Sequence, residues 1–296
     1  METLRAEFRD PAKIEIINRD NVRKTVTLLV TTKRGERGIL LFAPAPFIDG
    51  EEAETFEDFG RADAVLVQQN DKYAKCRLTM PRPVLVDSIF PANDVDVEKR
   101  SKTDMAFVRE TAEMYARCTK PFIDSVPRKQ TEWVRNLVDP ERRAGVKEEF
   151  LFEDDDFVLL LDSKWDGRDA RNMYCLAIVK SRHGERLRSV RDLRGPEDEQ
   201  LLRHVRQESE RVIAARYGLR PHQYRVCVHY LPSFYHFHVH FISLESEHNA
   251  ATINAGRALI LDDVIDALHN DPLHFARCAL SLHIPLNSSL FKSFQI

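Results

Sequence analysis

The stretch His229-Tyr-Leu-Pro-Ser-Phe-Tyr-His236-Phe-His238-Val-His240-Phe-Ile242 contains four of the chain's 11 histidines within 12 residues. Side chains alternate between the two faces of a β-strand. His236, His238 and His240 are therefore predicted to point to one side of a strand, with apolar residues between them. His229 lies upstream, before a Leu-Pro-Ser break, and a short turn there would bring it close to the other three.

A row of histidines suits three kinds of site. It can bind a metal, it can supply a nucleophile, or it can be a row of polar groups on a half-exposed strand. The flanks hold no HExxH, no CxxC and no carboxylate in phase with the triplet, which counts against a metal. Neutral imidazole is nucleophilic near pH 7 because its unperturbed pKa is about 6.5. The pattern favours nucleophilic catalysis, with neighbouring histidines fixing the tautomer of the attacking one.

The alternation of three histidines with apolar residues resembles the signature of the histidine triad superfamily, whose members act at an α-phosphate through a covalent nucleotidyl-histidine. The longer run from His229 to Phe241 resembles the scavenger mRNA decapping enzymes within that superfamily. His240 stands where the transferase branch has glutamine, which favours hydrolysis. The resemblance implies that His238 is the nucleophile, and that His229, His236 and His240 orient it or bind phosphate oxygens.

The composition limits the kinds of partner. The chain has 296 residues, 43% apolar and 31% charged, which is typical of a soluble protein with two ordinary domains. The formal net charge of −3 does not indicate a long nucleic acid bound through its backbone. A short nucleotide ligand needs only a local basic pocket.

The cysteines and the N-terminal sequence bear on the compartment. Five cysteines are scattered without metal-binding spacing, which indicates a reducing environment. The N-terminus has no apolar signal region, and no apolar run approaches the length of a membrane span. We expect a cytoplasmic protein without a membrane partner, and a nuclear location is also open.

The N-terminal part is predicted to be a small β-rich domain over residues 1–100. Its short β-prone runs are Thr25–Thr32, Gly38–Phe42, Ala64–Val67, Tyr73–Thr79 and Val84–Val86. From about Lys102 to Cys118 the apolar spacing is helical, which predicts a hinge helix over residues 101–120.

The C-terminal part, residues 121–296, is predicted to be an α+β domain with an antiparallel sheet, so the fold class of the whole chain is α+β. The predicted strands are Phe157–Leu161, Met173–Val179, Tyr224–Tyr230, the histidine strand and Ala279–Ile284. The predicted helices are Thr131–Val138, Pro196–Tyr217 and Ala258–Leu268.

The resemblance also implies a substrate, a capped RNA fragment or a cap dinucleotide. Methylated guanine carries a positive charge, so it should bind between flat electron-rich faces. Trp133 matches the family's stacking tryptophan, and Asp162 and Lys164 match family positions. Glu148, or else Glu141, would accept a hydrogen bond from the N–H edge of the guanine.

Two positions depart from the family: Ser163 replaces a leucine, and Phe234 replaces a tyrosine.

For the phosphates, the resemblance implies a set of cations and polar groups, because three linked phosphates concentrate negative charge. These residues are Lys99, Lys164, Arg257, Asn70, Tyr73, Tyr174 and Ser233. It further implies a homodimer that exchanges the N-terminal domain. No metal or other cofactor is expected, because imidazole supplies the nucleophile while lysine and arginine supply the positive charge.

Three other functions stay open from the sequence. A histidine triad hydrolase could act on uncapped dinucleoside polyphosphates, which need no tryptophan sandwich. A cap-binding module without turnover and a metalloprotein are the other two.

Overall fold

The computed structural model describes residues 11–20, 24–44, 64–70, 73–78, 84–101, 103–143, 149–162, 165–246 and 256–296. The chain divides into two compact units, Met1–Thr103 and Asp104–Ile296. Within the described residues, no helix combines the length and the apolar character needed to cross a membrane.

The first unit is β-rich, as predicted. Its strands are β1 (Lys13–Asp20), β2 (Thr25–Thr31), β3 (Arg37–Pro44), β4 (Ala64–Asn70), β5 (Tyr73–Leu78) and β6 (Val84–Ile89). Four of them form an antiparallel sheet in the order β1-β2-β3-β6, and β4 pairs with β5. A helix, α1 (Asp94–Arg100), follows, and Asn93 caps it by accepting a hydrogen bond from the backbone N–H of Asp96. Leu29 and Ile39 form the small core of this sheet.

The second unit begins with a strand where the sequence predicted a hinge helix. β7 (Met105–Glu110) pairs antiparallel with β14 (Leu280–Pro285). The prediction of a helix from Lys102 is therefore wrong for residues 105–110. The 3–4 spacing of apolar residues there also fits a two-residue alternation, in which Val108 and Glu110 are buried, and pairing with a distant strand decides between the two.

Helical structure starts after this strand. It begins at α2 (Ala112–Met114), where the Thr111 hydroxyl accepts from the N–H of Met114, and continues through a π-helical turn (Tyr115–Thr119) into α3 (Lys120–Ser125).

A six-stranded antiparallel sheet forms the centre of the second unit. Its strands are β8 (Phe150–Glu153), β9 (Phe157–Leu161), β10 (Tyr174–Val179), β11 (Tyr224–His229), β12 (His238–Ser243) and β13 (Ala258–Ile260). They lie in the order β13-β11-β12-β10-β9-β8. The central strands β9, β10 and β12 are continuously apolar or buried because both faces of the sheet are covered.

The remaining helices of the described chain are α4 (Glu132–Val138), α5 (Ser181–Gly184), α6 (Gly195–Tyr217), α7 (Leu261–Asn270), α8 (His274–Arg277) and α9 (Ser289–Phe294). The long helix α6 was predicted, including its end at Gly218, which adopts a left-handed conformation. The predicted helix Ala258–Leu268 is wrong in its first three residues. They form β13 because they pair with β11 at the edge of the sheet.

Different helices pack on the two faces of the sheet. Leu202 and Val205 of α6 share one apolar core with Leu159, Ala177 and Phe241. On the opposite face, Val134, Leu137 and Val138 of α4 pack on β9 and β10. The histidines of β12 belong to this second face, since His240 pairs with Leu176 and His238 pairs with Ile178.

Candidate active site

The histidine run forms a strand only from His238 onward. His238 and His240 lie in β12 and point to the same face, as predicted. His236 precedes the strand, so the prediction of three histidines on one strand is wrong for this residue. The chain bends there because the N–H of His236 donates to the carbonyl of Phe234 at 3.0 Å, and that of Phe237 to the carbonyl of Leu187 at 2.9 Å.

Two hydrogen bonds fix the tautomers of His238 and His236. Nδ1 of His238 donates to the carbonyl of His236 at 2.7 Å. Since a carbonyl only accepts, Nδ1 carries the proton and Nε2 keeps the lone pair. Nε2 of His236 donates in the same way to the carbonyl of Val179, also at 2.7 Å. The arrangement places the lone pair of the His238 ring on Nε2 and that of the His236 ring on Nδ1.

His236 is held neutral by its surroundings. Burial lowers the pKa of His236, the positive charge of Arg135 lowers it further, and the bond to Val179 offsets part of the effect. The ring lies against Gly184, where a Cβ atom would come within 2.0 Å of it. A glycine is therefore required at position 184 for His236 to keep its place.

His229 and His240 complete the group. Their rings lie 4.1 Å apart, so the predicted approach of His229 through the β11–β12 connection is confirmed. Nδ1 of His240 shares a hydrogen bond of 3.1 Å with the hydroxyl of Tyr174. The rings of His238 and His240 meet edge to face at 4.9 Å. The structure thus brings four predicted histidines and Tyr174 together.

An aromatic recess adjoins His238. Phe234 stacks on His238 with ring centroids 4.0 Å apart, and it meets Trp133 edge to face with ring centroids 5.0 Å apart. Trp133 is 46% exposed, an unusual position for so large an apolar ring. The recess has a volume of about 200 Å³ and is lined by Val126, Thr131, Trp133, Ser233, Phe234 and Tyr235. Trp133 and Ser233, both predicted for the site, thus line the same recess.

Comparison with known proteins agrees with this arrangement. A family model described as "Scavenger mRNA decapping enzyme C-term binding" matches residues 132–256, which include α4, α6 and the histidine strand. The m7GpppX diphosphatase of Caenorhabditis elegans is 35% identical over 99% of this chain and 93% of its own length. Those of Schizosaccharomyces pombe and Homo sapiens are each 31% identical, over 95% and 88% of this chain and 93% and 76% of their own lengths.

The chain belongs to the scavenger mRNA decapping enzyme family. This family is part of the histidine triad superfamily, as the sequence indicated.

Two further residues predicted for this site are placed by backbone hydrogen bonds to Tyr174 and Tyr230. Asp162 follows β9, and its N–H donates to the carbonyl of Tyr174 at 2.9 Å. Arg257 lies next to the edge of the sheet, where its carbonyl accepts from the N–H of Tyr230 at 2.7 Å. Burial raises the pKa of Cys227, the residue paired with His240, to about 12, and the charges of Arg225 and Arg257 offset part of that rise.

Other predicted site residues are not tested by the geometry. Asn70 and Tyr73 are paired in the β4–β5 hairpin and Lys99 lies in α1, all in the first unit. Glu148 and Lys164 lie outside the described residues, as does Ser163, while Glu141 is in a short turn after α4. Their roles stay predictions.

A buried polar network, which the sequence did not indicate, lies at the start of the loop that joins β11 to β12. Arg191 and Glu110 form a fully buried ion pair at 2.8 Å, and the hydroxyl of Tyr230 donates to the same carboxylate. Thr119 also donates to it. Burial and the negative charge of Glu110 raise the pKa of Tyr230, which keeps the hydroxyl protonated. Tyr230 directly follows His229, so the network anchors the start of the loop that carries Phe234 and His236.

A group of potential metal ligands lies elsewhere. Among the described residues, Asp154, Asp156 and His204 have ligand atoms within 4.8 Å of one another. His204 already contacts the carboxylate of Asp154 at 2.6 Å. This group belongs to the β8–β9 turn and to α6, and it includes none of the four site histidines.

Proposed function

We propose that the chain hydrolyses 7-methylguanosine 5′-triphosphate cap dinucleotides, or short capped RNA fragments, to 7-methylguanosine monophosphate and a nucleoside or oligonucleotide diphosphate. The observation that carries this proposal is the fixed tautomer of His238, whose Nδ1 donates to the carbonyl of His236 at 2.7 Å. Its lone-pair nitrogen lies beside an aromatic recess in a chain whose relatives are named m7GpppX diphosphatases.

The reaction has two displacements at one phosphorus atom. Nε2 of His238 attacks the phosphorus nearest the methylguanosine, a P–N bond forms, and the P–O bond to the leaving diphosphate breaks. Water then attacks the same phosphorus, the P–N bond breaks, and 7-methylguanosine monophosphate leaves while imidazole is restored. His229, His236 and His240 orient the nucleophile or donate to phosphate oxygens. The residues described need no metal for these steps, because imidazole supplies the nucleophile.

Recognition of the methylated base is assigned to the recess at Trp133. The methylated guanine ring is cationic, and a half-exposed indole is the strongest of the aromatic faces for a cation. Phe234 meets the indole edge to face at 5.0 Å and so fixes its orientation. A glutamate, Glu148 or Glu141, would accept from the N–H edge of the base.

We further propose a homodimer in which the N-terminal domain of one subunit closes over the site of the other, and a cytoplasmic location that extends to the nucleus. The family resemblance supports the dimer. Asn70, Tyr73, Lys99 and Lys164 would then meet the triphosphate. Sedimentation of the purified chain tests the dimer, and fractionation of cells tests the location.

The deciding experiment compares a methylated cap dinucleotide with its unmethylated twin, in the presence of chelator, with the products separated by chromatography. We expect release of 7-methylguanosine monophosphate, a strong preference for the methylated substrate, and no turnover by the His238→Ala variant. Equal hydrolysis of both substrates would indicate an enzyme for uncapped dinucleoside polyphosphates. Binding without turnover would indicate a cap-binding module, and turnover only after metal is restored would indicate a metalloenzyme.

In the same assay the Trp133→Ala variant tests the recess. Under this proposal it loses discrimination between the two substrates while the histidine chemistry continues. A variant that keeps full discrimination would remove Trp133 from base recognition.

A further inference from the structure

A cavity of about 360 Å³ lies beside His236 and has no role in the steps above. It is lined by Asp124, Val126, Thr131, Arg135, Gly184, Glu185, Arg188, Tyr235 and His236. Its volume falls in the range of roughly 300–1,000 Å³ that is typical of small-ligand pockets. Val126, Thr131 and Tyr235 also line the recess at Trp133, so the two spaces lie side by side.

The cavity also lies close to the proposed nucleophile, His238. His236 and Arg188 line both this cavity and a narrow cleft that reaches His229 and His238. The cavity therefore begins at a residue that contacts the proposed nucleophile, since the carbonyl of His236 accepts from Nδ1 of His238 at 2.7 Å. The aromatic recess and the cavity are thus two neighbouring spaces that can receive the two halves of a dinucleotide.

The cavity lining holds two arginines and two carboxylates, and one of the arginines forms no ion pair among the described residues. Arg188 is paired with Asp124 at 3.0 Å, and Glu185 is exposed. Arg135 is half-buried, and no carboxylate among the described residues forms an ion pair with it. His236 does not add a second cation, since burial and the charge of Arg135 lower its pKa. A half-buried guanidinium without a counter-ion is a site for an anion, and its fork geometry fits phosphate.

Tyr235 adds a neutral donor to the same wall. Burial raises the pKa of Tyr235 to about 12, so its hydroxyl stays protonated and can donate to a phosphate oxygen. Its ring lies 6.0 Å from the guanidinium of Arg188 and packs edge to face on Phe122. The phenol is therefore held in place before any ligand binds.

We propose that Arg135, with Tyr235, binds the diphosphate of the leaving nucleotide in this cavity, while the recess at Trp133 takes the methylated base. This inference rests on the proposed function and adds the direction in which the substrate lies. Arg135 is then a binding residue specific for the RNA side of the cap.

The test measures binding of two probes by calorimetry. ADP represents the leaving diphosphate, and 7-methylguanosine monophosphate represents the other half of the substrate. A charge-assisted hydrogen bond contributes about 1.5–3 kcal/mol, so Arg135→Ala is expected to weaken ADP binding at least tenfold. The affinity of Arg135→Ala for 7-methylguanosine monophosphate is expected to stay within about twofold of wild type. Arg135→Lys retains the charge without the fork and gives an intermediate loss.

Arg203→Ala is the matched control. Arg203 is an exposed arginine of α6, on the other side of the sheet, and pairs with Glu199 at 2.9 Å. The Arg203→Ala substitution should change neither the affinity for ADP nor the affinity for 7-methylguanosine monophosphate.

Three results would overturn the inference: a wild-type protein that does not bind ADP, an unchanged ADP affinity in Arg135→Ala, or an equal loss for both probes. If Arg135→Ala selectively loses ADP while the wild-type protein does not hydrolyse a methylated cap dinucleotide, the anion site stands and the proposed function fails.

Discussion

His238 stacks face to face on Phe234, with ring centroids 4.0 Å apart and an angle of 16° between the ring planes. The hydrogen bond from Nδ1 to the carbonyl of His236 restrains the imidazole within its own plane. The stack restrains it perpendicular to that plane. Together they leave Nε2 of His238 in one orientation before substrate arrives, as the proposed in-line attack requires.

Replacement of Phe234 by leucine tests this restraint. An aromatic stack contributes about 0.5–1.5 kcal/mol, so Phe234→Leu is expected to lower kcat by a factor of about 2–10. Phe234→Tyr keeps the ring and should retain kcat. Nitrogen chemical shifts of the His238 ring supply a second readout. A ring freed from the stack should leave its bond to the carbonyl of His236 part of the time and so populate the other tautomer. A leucine variant with wild-type kcat and a single Nδ1–H tautomer would show that the hydrogen bond is sufficient.

Gly184 is expected to be intolerant of any side chain. A Cβ atom there would lie 2.0 Å from the ring of His236, so Gly184→Ala must displace the imidazole. We expect a loss of kcat comparable with that of His236→Ala. The double variant should be no worse than either single one, since both changes act on the same ring. Additive losses would mean that Gly184 acts through the backbone instead. Circular dichroism and thermal unfolding serve as controls for folding.

Much of the histidine site could be predicted from local sequence. The turn after β11 made the approach of His229 to His240 predictable, and alternation along a strand made the common face of His238 and His240 predictable. The bend at His236 could not be predicted, because it depends on a backbone hydrogen bond from Phe237 to Leu187 on a distant loop.

Contacts between distant segments determine the features that could not be predicted from the sequence. The residues of β7 fit either a helix or a strand locally, and pairing with β14 decides the outcome. Glu110 and Arg191 are 81 residues apart, and neither has a neighbour in sequence that indicates a buried pair. The stack of Phe234 on His238 likewise arises from the path of a loop, which has no periodic pattern.

The buried pair of Arg191 and Glu110 leads to a prediction on stability. Removal of one partner leaves a charge in the core, so Arg191→Met should lower the free energy of unfolding by about 3–5 kcal/mol. The double change Arg191→Met with Glu110→Leu should recover part of that loss. Tyr230→Phe removes one hydrogen bond and should cost about 1 kcal/mol. Urea unfolding measures all of these, and a double variant less stable than Arg191→Met would contradict the argument.

Glu153 leads to a prediction on pH. Its carboxylate accepts from both terminal nitrogens of Arg143, at 2.6 and 2.8 Å, and pairs with Lys180 at 2.8 Å. The hydrogen bond to Arg143 is the main reason that the pKa of Glu153 falls from 4.5 to about 2, and Lys180 adds to the effect. Arg143 in turn donates to the carbonyl of Leu137 at 2.7 Å, so this ion pair ties the end of α4 to β8.

Because the folded pKa lies below that of the unfolded chain, the unfolded state binds the proton first as the pH falls. The stabilisation by Glu153 is therefore fully present above about pH 4.5 and is lost progressively as the pH falls toward 2. The free energy of unfolding in urea, measured from pH 6 to pH 3, should differ between wild type and Glu153→Gln by an amount that shrinks with acid. Glu245→Gln, at an exposed turn after β12, is the control and should follow the wild-type curve. A difference that stays constant down to pH 3 would mean that the ion pair contributes through packing of the arginine and not through the charge of Glu153.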